Sequence, residues 1–242
     1  LNLKMAEESL VLLKNDGILP LANDKNKTIA VIGPVADDVT VLLGNYNGTP
    51  SRYSTLLRGM QDASCGKVLY ALGSNLLNFP ERDKEKPLRE AIIAAKYADV
   101  VVLCMGINPS CEGEESDAAN SANNGDRDTI QFPETQKELM EAVVAVGKPT
   151  IFVNVSGSCM NLAYAKKSCN AVIQCFYPGA EGGNALADVI FGKVSPSGRL
   201  PLTFYESMSD LPDFDDYSME NRTYKFFKGK CVYDFGHGLT YS

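Results

Sequence analysis

The sequence predicts an α/β fold, in which a mostly parallel sheet of five or six strands lies between two layers of helices and is followed by an irregular C-terminal tail. Helix-like and strand-like segments alternate along most of the chain, as in parallel sheets. The strand-like segments are continuous apolar runs, which is typical of strands buried on both faces. The 242 residues, of which 45% are apolar, are enough for one large core. Because no internal repeat or linker divides the chain, we interpret 1–242 as one domain.

The individual elements follow from local patterns. Apolar residues at helical spacing predict a first helix at 4–15, and Ser51 or Ser54 could cap a helix that runs to about residue 63. Further helices are predicted at 89–97, 134–147, 161–167 and 184–191, and strands at 28–33, 67–72, 99–104, 150–156, 171–176 and 199–204. Pro201 favours a sheet edge for the last strand, because proline cannot donate to the ladder. The tail at 205–242 has little periodicity and is expected to wrap the surface.

A long acidic loop, residues 104–133, separates one apolar strand from the next helix. Connections in α/β units usually take about 2–6 residues, and much longer ones are often functional. The loop follows the carboxyl end of a strand, where open α/β sheets bind ligands. It carries four carboxylates within six positions: Glu112, Glu114, Glu115 and Asp117. Carboxylates held close together raise one another's pKa, and a carboxylic acid that is protonated near neutral pH can act as a general acid. The same charges also suit a solvated surface loop.

The composition argues against several classes of partner. With 23 basic and 30 acidic residues the net charge is −7, so nucleic acid and anionic membranes are poor partners. Apolar runs fall short of the roughly 18 residues of a transmembrane helix. His237 is the sole histidine, which excludes metal sites that need two, and we expect it to be structural. We predict no metal and no cofactor.

The odd count of seven cysteines and the lack of a recognisable signal peptide favour a cytoplasmic location, with secretion as the alternative.

Other motifs are weaker. The sequence contains neither GxGxxG nor GxxxxGK[ST], and Gly182-Gly183 before a helix could either hold an anion or allow tight packing. Ser156-Gly157-Ser158 is not a nucleophile elbow. Asn45 and Tyr46 offer an amide and an aromatic face suited to sugar hydroxyls, although asparagine is also common in turns. We retain them as candidate substrate contacts.

Taken together, these motifs resemble the second, α/β-sandwich domain of glycoside hydrolase family 3, the β-glucosidases and β-xylosidases. The resemblance covers essentially the whole chain and includes the acidic loop. It rests on four further blocks: ESLVLLKNDGILPL at 8–21, IAVIGPVADD at 29–38, YPGAEGGNALADVIFGKVSPSGRLPLTF at 177–204 and YDFGHGLTYS at 233–242. GNYNGTPSRYSTLL at 44–57 resembles the xylosidase branch.

The resemblance implies a retaining, exo-acting β-glycosidase, in which a barrel domain supplies the nucleophilic aspartate and this domain supplies the general acid/base. The family's motif matches Glu112-Gly113-Glu114-Glu115-Ser116-Asp117, with Glu114 as the acid/base. Glu115 and Glu112 remain alternatives, because Ala118 stands in place of an arginine and Asp126-Arg127 follows only later. The implied substrate is a β-linked oligosaccharide or aryl glycoside.

The resemblance also sets expectations for the chain by itself. Without the barrel domain it should fold but be inactive, and residues 106–130, with few large apolar anchors, should be its least ordered part. The competing interpretations are a non-catalytic carbohydrate-binding or scaffolding module and a small-molecule or nucleotide-binding domain.

Overall fold

The computed structural model describes residues 1–78, 84–113, 127–213, 215–218, 220 and 223–241. Its helices are α1 (Asn2–Ser9), α2 (Leu56–Ala63), α3 (Glu85–Tyr97), α4 (Glu134–Val144), α5 (Ala163–Ser168), α6 (Gly182–Ile190) and α7 (Thr223–Phe226). Its strands are β1 (Val11–Asn15), β2 (Thr28–Ile32), β3 (Lys67–Ala71), β4 (Val100–Gly106), β5 (Thr150–Val155) and β6 (Ala171–Gln174). Short 3-10 helices cover Thr40–Leu42 and Met208–Asp210.

Among the described residues, six strands form one sheet in the order β1-β6-β5-β4-β2-β3. All neighbouring pairs are parallel except β1 and β6, which are antiparallel. The carboxyl ends of the five parallel strands therefore meet at one edge of the sheet. The direction of strand succession reverses between β2 and β4, which is where sheets of this class open a crevice.

Helices cover both faces of the sheet, which confirms the predicted fold class. One core lies under α3, α4 and α5, and the other lies under α1, α2 and α6. In β4, which is buried along its whole length, Val101, Leu103 and Met105 enter the first core. The residues between them enter the second core. Burial on both faces explains why the strands are continuous apolar runs in the sequence. Among the described helices, none is long and apolar enough to cross a bilayer.

The N-terminal region corrects one prediction. Instead of a single helix at 4–15, α1 ends at Ser9 and residues 11–15 form β1, which pairs with β6 from Val11↔Gln174 to Asn15↔Ala171. The apolar residues here fit both the spacing of a helix and a buried strand. They form a strand because the edge of β6 offers backbone groups with which they can pair. The helix α2 is capped by neither Ser51 nor Ser54 but by Thr55, whose side chain accepts from the Arg58 amide at 3.2 Å.

The predicted edge strand at 199–204 is also wrong. The chain there makes separate backbone contacts with the tail, with an isolated bridge between Phe204 and Tyr233. The tail returns to the sheet, where the Leu239 amide donates to the Leu12 carbonyl at 2.8 Å on β1. The His237 Nε2–H donates to the Leu13 carbonyl at 2.8 Å, which agrees with a structural histidine. The tail thereby covers an edge strand that would otherwise present unpaired backbone groups.

Candidate active site

The acidic loop leaves β4 at the carboxyl edge of the sheet, and its described ends are packed into the core. Ile107 and Cys111 are buried after β4, and Ile130 is buried on the return. The expectation of few apolar anchors in 106–130 therefore does not hold for these ends. Residues 114–126, which include Glu114, Glu115 and Asp117, lie outside the described residues.

Glu112, the one glutamate of the loop's motif that the structure describes, accepts hydrogen bonds from four donors. Its Oε1 accepts from the Gly157 amide and from the Tyr177 hydroxyl, each at 2.5 Å. Its Oε2 accepts from the Ser158 hydroxyl and from Arg127 Nη1, the latter at 3.4 Å. We call these five residues the Glu112 clamp. All four groups are placed to donate to the carboxyl oxygens of Glu112.

Arg127 belongs to the clamp through several contacts besides Glu112. Its Nη1 donates to the Ser158 hydroxyl at 2.5 Å and to the Cys159 carbonyl at 3.2 Å, and its Nη2 donates to the Thr129 carbonyl at 2.7 Å. The side chains of Arg127 and Glu112 are 16% and 13% exposed, so their ion pair is screened much less than a surface pair. The ion pair therefore joins two described residues of the acidic loop that are 15 positions apart in the sequence.

Tyr177 closes the clamp from the end of β6. Burial raises the pKa of its hydroxyl, and the negative charge of Glu112 raises it further, so the group remains a donor at neutral pH. A side chain at Gly157 would not fit beside it. A Cβ there would lie 2.8 Å from Glu112 Oε1 and 2.8 Å from Tyr177 Cε2. The absence of a side chain at Gly157 therefore allows the carboxylate and the ring to approach the turn after β5.

The structure brings the predicted substrate contacts to the same place. Asn45 Nδ2 donates to the Glu112 carbonyl at 3.4 Å. The neighbouring Tyr46 has a positive φ of 59° and is 80% exposed. The loop that contains both residues thus lies beside the main chain of Glu112. A cavity of about 330 Å³ lies against the clamp and is lined in part by Glu112, Arg127 and Met208.

Sequence reasoning missed three of the clamp residues: Gly157, Ser158 and Tyr177. Ser158 follows β5 and Tyr177 follows β6, at the same edge of the sheet where Glu112 follows β4. Knowledge of the strand order would therefore have indicated that these side chains lie near Glu112. Arg127 appears in the sequence as a displaced arginine, and the structure pairs it with Glu112 across the intervening segment.

A second, larger cavity lies beside α2 and α6, away from the clamp. Its volume is about 430 Å³. Its arginines pair with carboxylates in its own wall, Arg52 with Glu181 at 3.1 Å and Arg58 with Asp62 at 2.7 Å. Within the described residues, no group of three or more His, Cys, Asp or Glu is arranged to hold a metal.

The Gly182-Gly183 turn serves packing. The Gly183 amide donates to the Ser54 carbonyl at 2.8 Å, and a Cβ on Gly183 would lie 1.9 Å from the Thr55 carbonyl oxygen. The backbone of the loop before α2 therefore packs directly against the first turn of α6 and leaves no room for an anion there. A phosphate would have to displace this backbone, which argues against the nucleotide-binding interpretation.

Comparison with known proteins gives consistent matches. The model of the glycosyl hydrolase family 3 C-terminal domain matches residues 10–241. The probable exo-1,4-beta-xylosidase xlnD of Aspergillus flavus is 37% identical over 252 residues, which are 100% of this chain and 30% of that protein. The periplasmic beta-glucosidase of Salmonella typhimurium is 34% identical over 272 residues, which cover 99% of this chain and 34% of that protein.

A solved structure matches as well. The GH3 exo-beta-xylosidase (XlnD) in complex with a xylobiose aziridine activity-based probe has a TM-score of 0.84 and 36% identity, over 99% of this chain and 31% of that one. The chain therefore spans about a third of the length of the relatives it matches.

Proposed function

We propose that this chain, which belongs to glycosyl hydrolase family 3 as its C-terminal domain, supplies the general acid/base of a retaining, exo-acting β-glycosidase of the β-xylosidase or β-glucosidase type. The barrel domain of the longer enzyme would carry the nucleophilic aspartate. The substrate would be a β-linked oligosaccharide or aryl glycoside cleaved at its terminal sugar. Matches to a xylosidase and to a glucosidase support this range of substrates.

The Glu112 clamp is the observation that carries the proposal. It joins Glu112 and Arg127, which precede and follow 114–126 in the sequence, at the carboxyl edge of the sheet beside the exposed loop with Asn45 and Tyr46. Since Glu112 accepts from four donors, we assign it to holding the loop rather than to proton transfer. Glu114, two residues further along, is the proposed acid/base, with Glu115 as the alternative.

The mechanism would run in two steps. The aspartate of the barrel attacks the anomeric carbon while Glu114 protonates the leaving oxygen, which gives a covalent glycosyl-enzyme. Glu114 then takes a proton from the water that hydrolyses this intermediate, so that the configuration is retained. The two carboxyl groups of such a pair lie about 5–5.5 Å apart. Asn45 and Tyr46 would contact the sugar hydroxyls or the leaving group.

The test is a set of alanine variants in the longer protein that joins this chain to its barrel domain. Glu114→Ala should slow hydrolysis of poor leaving groups by roughly 10²–10⁴-fold, the usual contribution of general acid–base catalysis. Activated aryl glycosides need little protonation and should lose less in the first step. Azide should partly restore turnover, because it attacks the glycosyl-enzyme without a base.

The controls come from the same loop. Asp117→Ala removes a neighbouring carboxylate that we do not assign to proton transfer, and it should show neither leaving-group dependence nor azide rescue. If Glu115→Ala, and not Glu114→Ala, shows the leaving-group dependence and the azide rescue, Glu115 is the acid/base. If no glutamate of the loop shows it, the chain is a non-catalytic module. The 242-residue chain alone should hydrolyse neither aryl β-xylosides nor aryl β-glucosides, and turnover that a change within this chain abolishes would contradict the proposal.

We also propose a cytoplasmic location. All seven cysteines are free, and five of them are buried. Unpaired thiols favour a reducing compartment. The name of the Salmonella relative, a periplasmic beta-glucosidase, favours the alternative of export. Cell fractionation with activity measured in each fraction would decide between the two.

A further inference from the structure

Two primary amides lie inside the sheet directly below the Glu112 clamp. Asn154 of β5 and Gln174 of β6 are paired in the sheet register, and both are fully buried. Their strand neighbours on the same face, Phe152 and Val172, belong to the apolar core. A buried amide is costly unless it is hydrogen-bonded. A polar pair at this position therefore calls for a specific reason.

The hydrogen bonds of this amide pair lead to the turn that holds Glu112. Asn154 Nδ2 donates to Gln174 Oε1 at 2.5 Å and to the Ser156 hydroxyl at 2.9 Å. Gln174 Nε2 donates to the Ser156 carbonyl at 3.1 Å. The Ser156 hydroxyl donates to the Ser158 carbonyl at 2.8 Å. The network thus ends on the two carbonyls on either side of Gly157.

This arrangement orients the donors of the clamp. The carbonyl of Ser156 and the amide of Gly157 belong to one planar trans peptide group, so they point in opposite directions. Gln174 Nε2 donates to the Ser156 carbonyl on one side of this peptide group. The Gly157 amide therefore points to the other side, where it donates to Glu112 Oε1 at 2.5 Å. The bond to the Ser158 carbonyl fixes the residue whose hydroxyl donates to Glu112 Oε2.

The amide pair is not optimised for stability. Asn154 Oδ1 is buried and has no hydrogen-bond partner among the described residues. Unsatisfied polar groups of this kind are rare in native cores, and departures from local consistency concentrate at functional sites. Apolar residues would fill the same space in a sheet covered on both faces.

We propose that Asn154 and Gln174 are positioning residues for the acid/base, acting through the Gly157 turn and Glu112. The inference rests on the proposed function, since it takes the acidic loop to carry the acid. Neither residue touches substrate. They hold the Ser156–Gly157 peptide, whose amide binds Glu112, and Glu112 precedes Glu114 by two residues in the chain.

The test is a double variant, Asn154→Leu with Gln174→Met, in the longer enzyme. Replacing both partners by apolar residues of similar size removes the unpaired Asn154 Oδ1 but takes the Gln174 donor from the Ser156 carbonyl, so the melting temperature should stay close to that of the wild type. Hydrolysis of poor leaving groups should nevertheless fall by roughly ten- to a hundredfold, as expected for a displaced catalytic group. Activated aryl glycosides should lose less. A double variant with wild-type stability and a wild-type ratio of the two rates would overturn the proposal.

Two further variants distinguish a role in positioning Glu112 from a role in packing the core. Val153→Ala removes core volume from β5 on the opposite face, and it should lower the melting temperature without changing the ratio of rates. Ser156→Ala removes the hydroxyl that accepts from Asn154 Nδ2 and donates to the Ser158 carbonyl, and it leaves both amides in place. It should shift the ratio in the same direction as the double variant, even if the latter does not fold. If Ser156→Ala behaves like Val153→Ala, the amide pair is structural only.

A measurement without catalysis distinguishes this inference from the proposed function. Hydrogen exchange of the Gly157 amide should be faster in Ser156→Ala and in the double variant than in Val153→Ala. Unchanged exchange contradicts the positioning role whatever the activity. Glu114→Ala and Glu115→Ala, assayed in parallel, report on the proposed function itself.

Discussion

Glu112 at the carboxyl edge of the sheet and Glu7 on α1 are both partly buried carboxylic acids, but their surroundings are of opposite kinds. Glu112 is surrounded by donors: an amide, two hydroxyls and a guanidinium. Glu7 lies against a second carboxylate, Asp188 of α6. Burial raises the pKa of Glu7, and the hydrogen bond to Asp188 and its negative charge raise it further, against a smaller opposing effect of Lys193.

The comparison separates two uses of a carboxyl group. A carboxyl group that accepts from several donors holds chain segments together, as in the Glu112 clamp. A carboxyl group next to another carboxylate retains its proton more strongly, which is the property a general acid needs. Among the described glutamates, that property occurs at Glu7, where α1 contacts α6, and not at a residue of the Glu112 clamp. Among the described residues, the raised carboxyl pKa of Glu7 therefore marks a helix contact and does not by itself locate the chemistry.

Removal of the carboxylate at position 112 should have the largest effect on stability. Glu112→Ala leaves Arg127 nearly buried without its counter-charge, and breaking such a pair typically costs about 3–5 kcal/mol. Urea denaturation of the 242-residue chain measures the loss. Glu8→Ala, which breaks an exposed pair with Lys4 on α1, is the control and should be close to neutral. Equal urea midpoints for the two variants would show that the clamp does not stabilise the domain.

The hydroxyls of Tyr177 and Tyr241 donate to acceptors of different kinds. Tyr177→Phe removes a donor to a carboxylate, whereas Tyr241→Phe removes a donor to the neutral carbonyl of Val189, which it meets at 2.7 Å. Hydrogen bonds to charged groups contribute about 1.5–3 kcal/mol and neutral ones about 1 kcal/mol. We therefore expect the free energy of unfolding to fall more for Tyr177→Phe. The reverse order would mean that the hydrogen bond to Glu112 contributes less to stability than a hydrogen bond to a neutral carbonyl.

The fold was predictable because the parallel strands are short apolar runs separated by helical patterns. The first strand was not, since residues 10–15 suit either structure until β6 is in place beside them. The cap of α2 was missed by one residue, because Ser54 and Thr55 are both good capping residues and the sequence does not show that the Thr55 side chain is the one that accepts from the Arg58 amide.

The candidate site was predictable in its location but not in its contacts. The length and charge of the acidic loop indicated the edge of the sheet at which Glu112 lies. The pairing of Glu112 with Arg127 depends on how the chain returns after 114–126, and local spacing carries no such information. The role of Tyr177 follows from β6 lying two strands away from β4, which is a property of the topology. The assignment of Glu114 rests on the resemblance and stays a prediction.

The smallest expected effect on stability is that of Glu7, and it depends on pH. Because the folded chain raises the pKa of Glu7 above its ordinary value of 4.5, protonated Glu7 favours the folded state. This contribution is fully present below pH 4.5 and is lost as the pH rises through the folded pKa. Glu7→Gln retains a neutral donor towards Asp188 at every pH. It should therefore be more stable than the wild type at pH 7, by about 0.5 kcal/mol as is usual for partly exposed positions.

The difference should close as the pH falls below 4.5, where the wild type is protonated as well. Denaturation of both chains between pH 3 and 8 measures it, with Glu8→Gln as the control. Glu8 neighbours Glu7 but is paired with Lys4, so its replacement should not stabilise the domain at neutral pH. If Glu7→Gln is less stable than the wild type at pH 7, the ionised form of Glu7 is the favoured one. Lys193, which lies 3.0 Å from Asp188, would then outweigh the repulsion between the two carboxylates, and Glu7 would resemble Glu112 instead of contrasting with it.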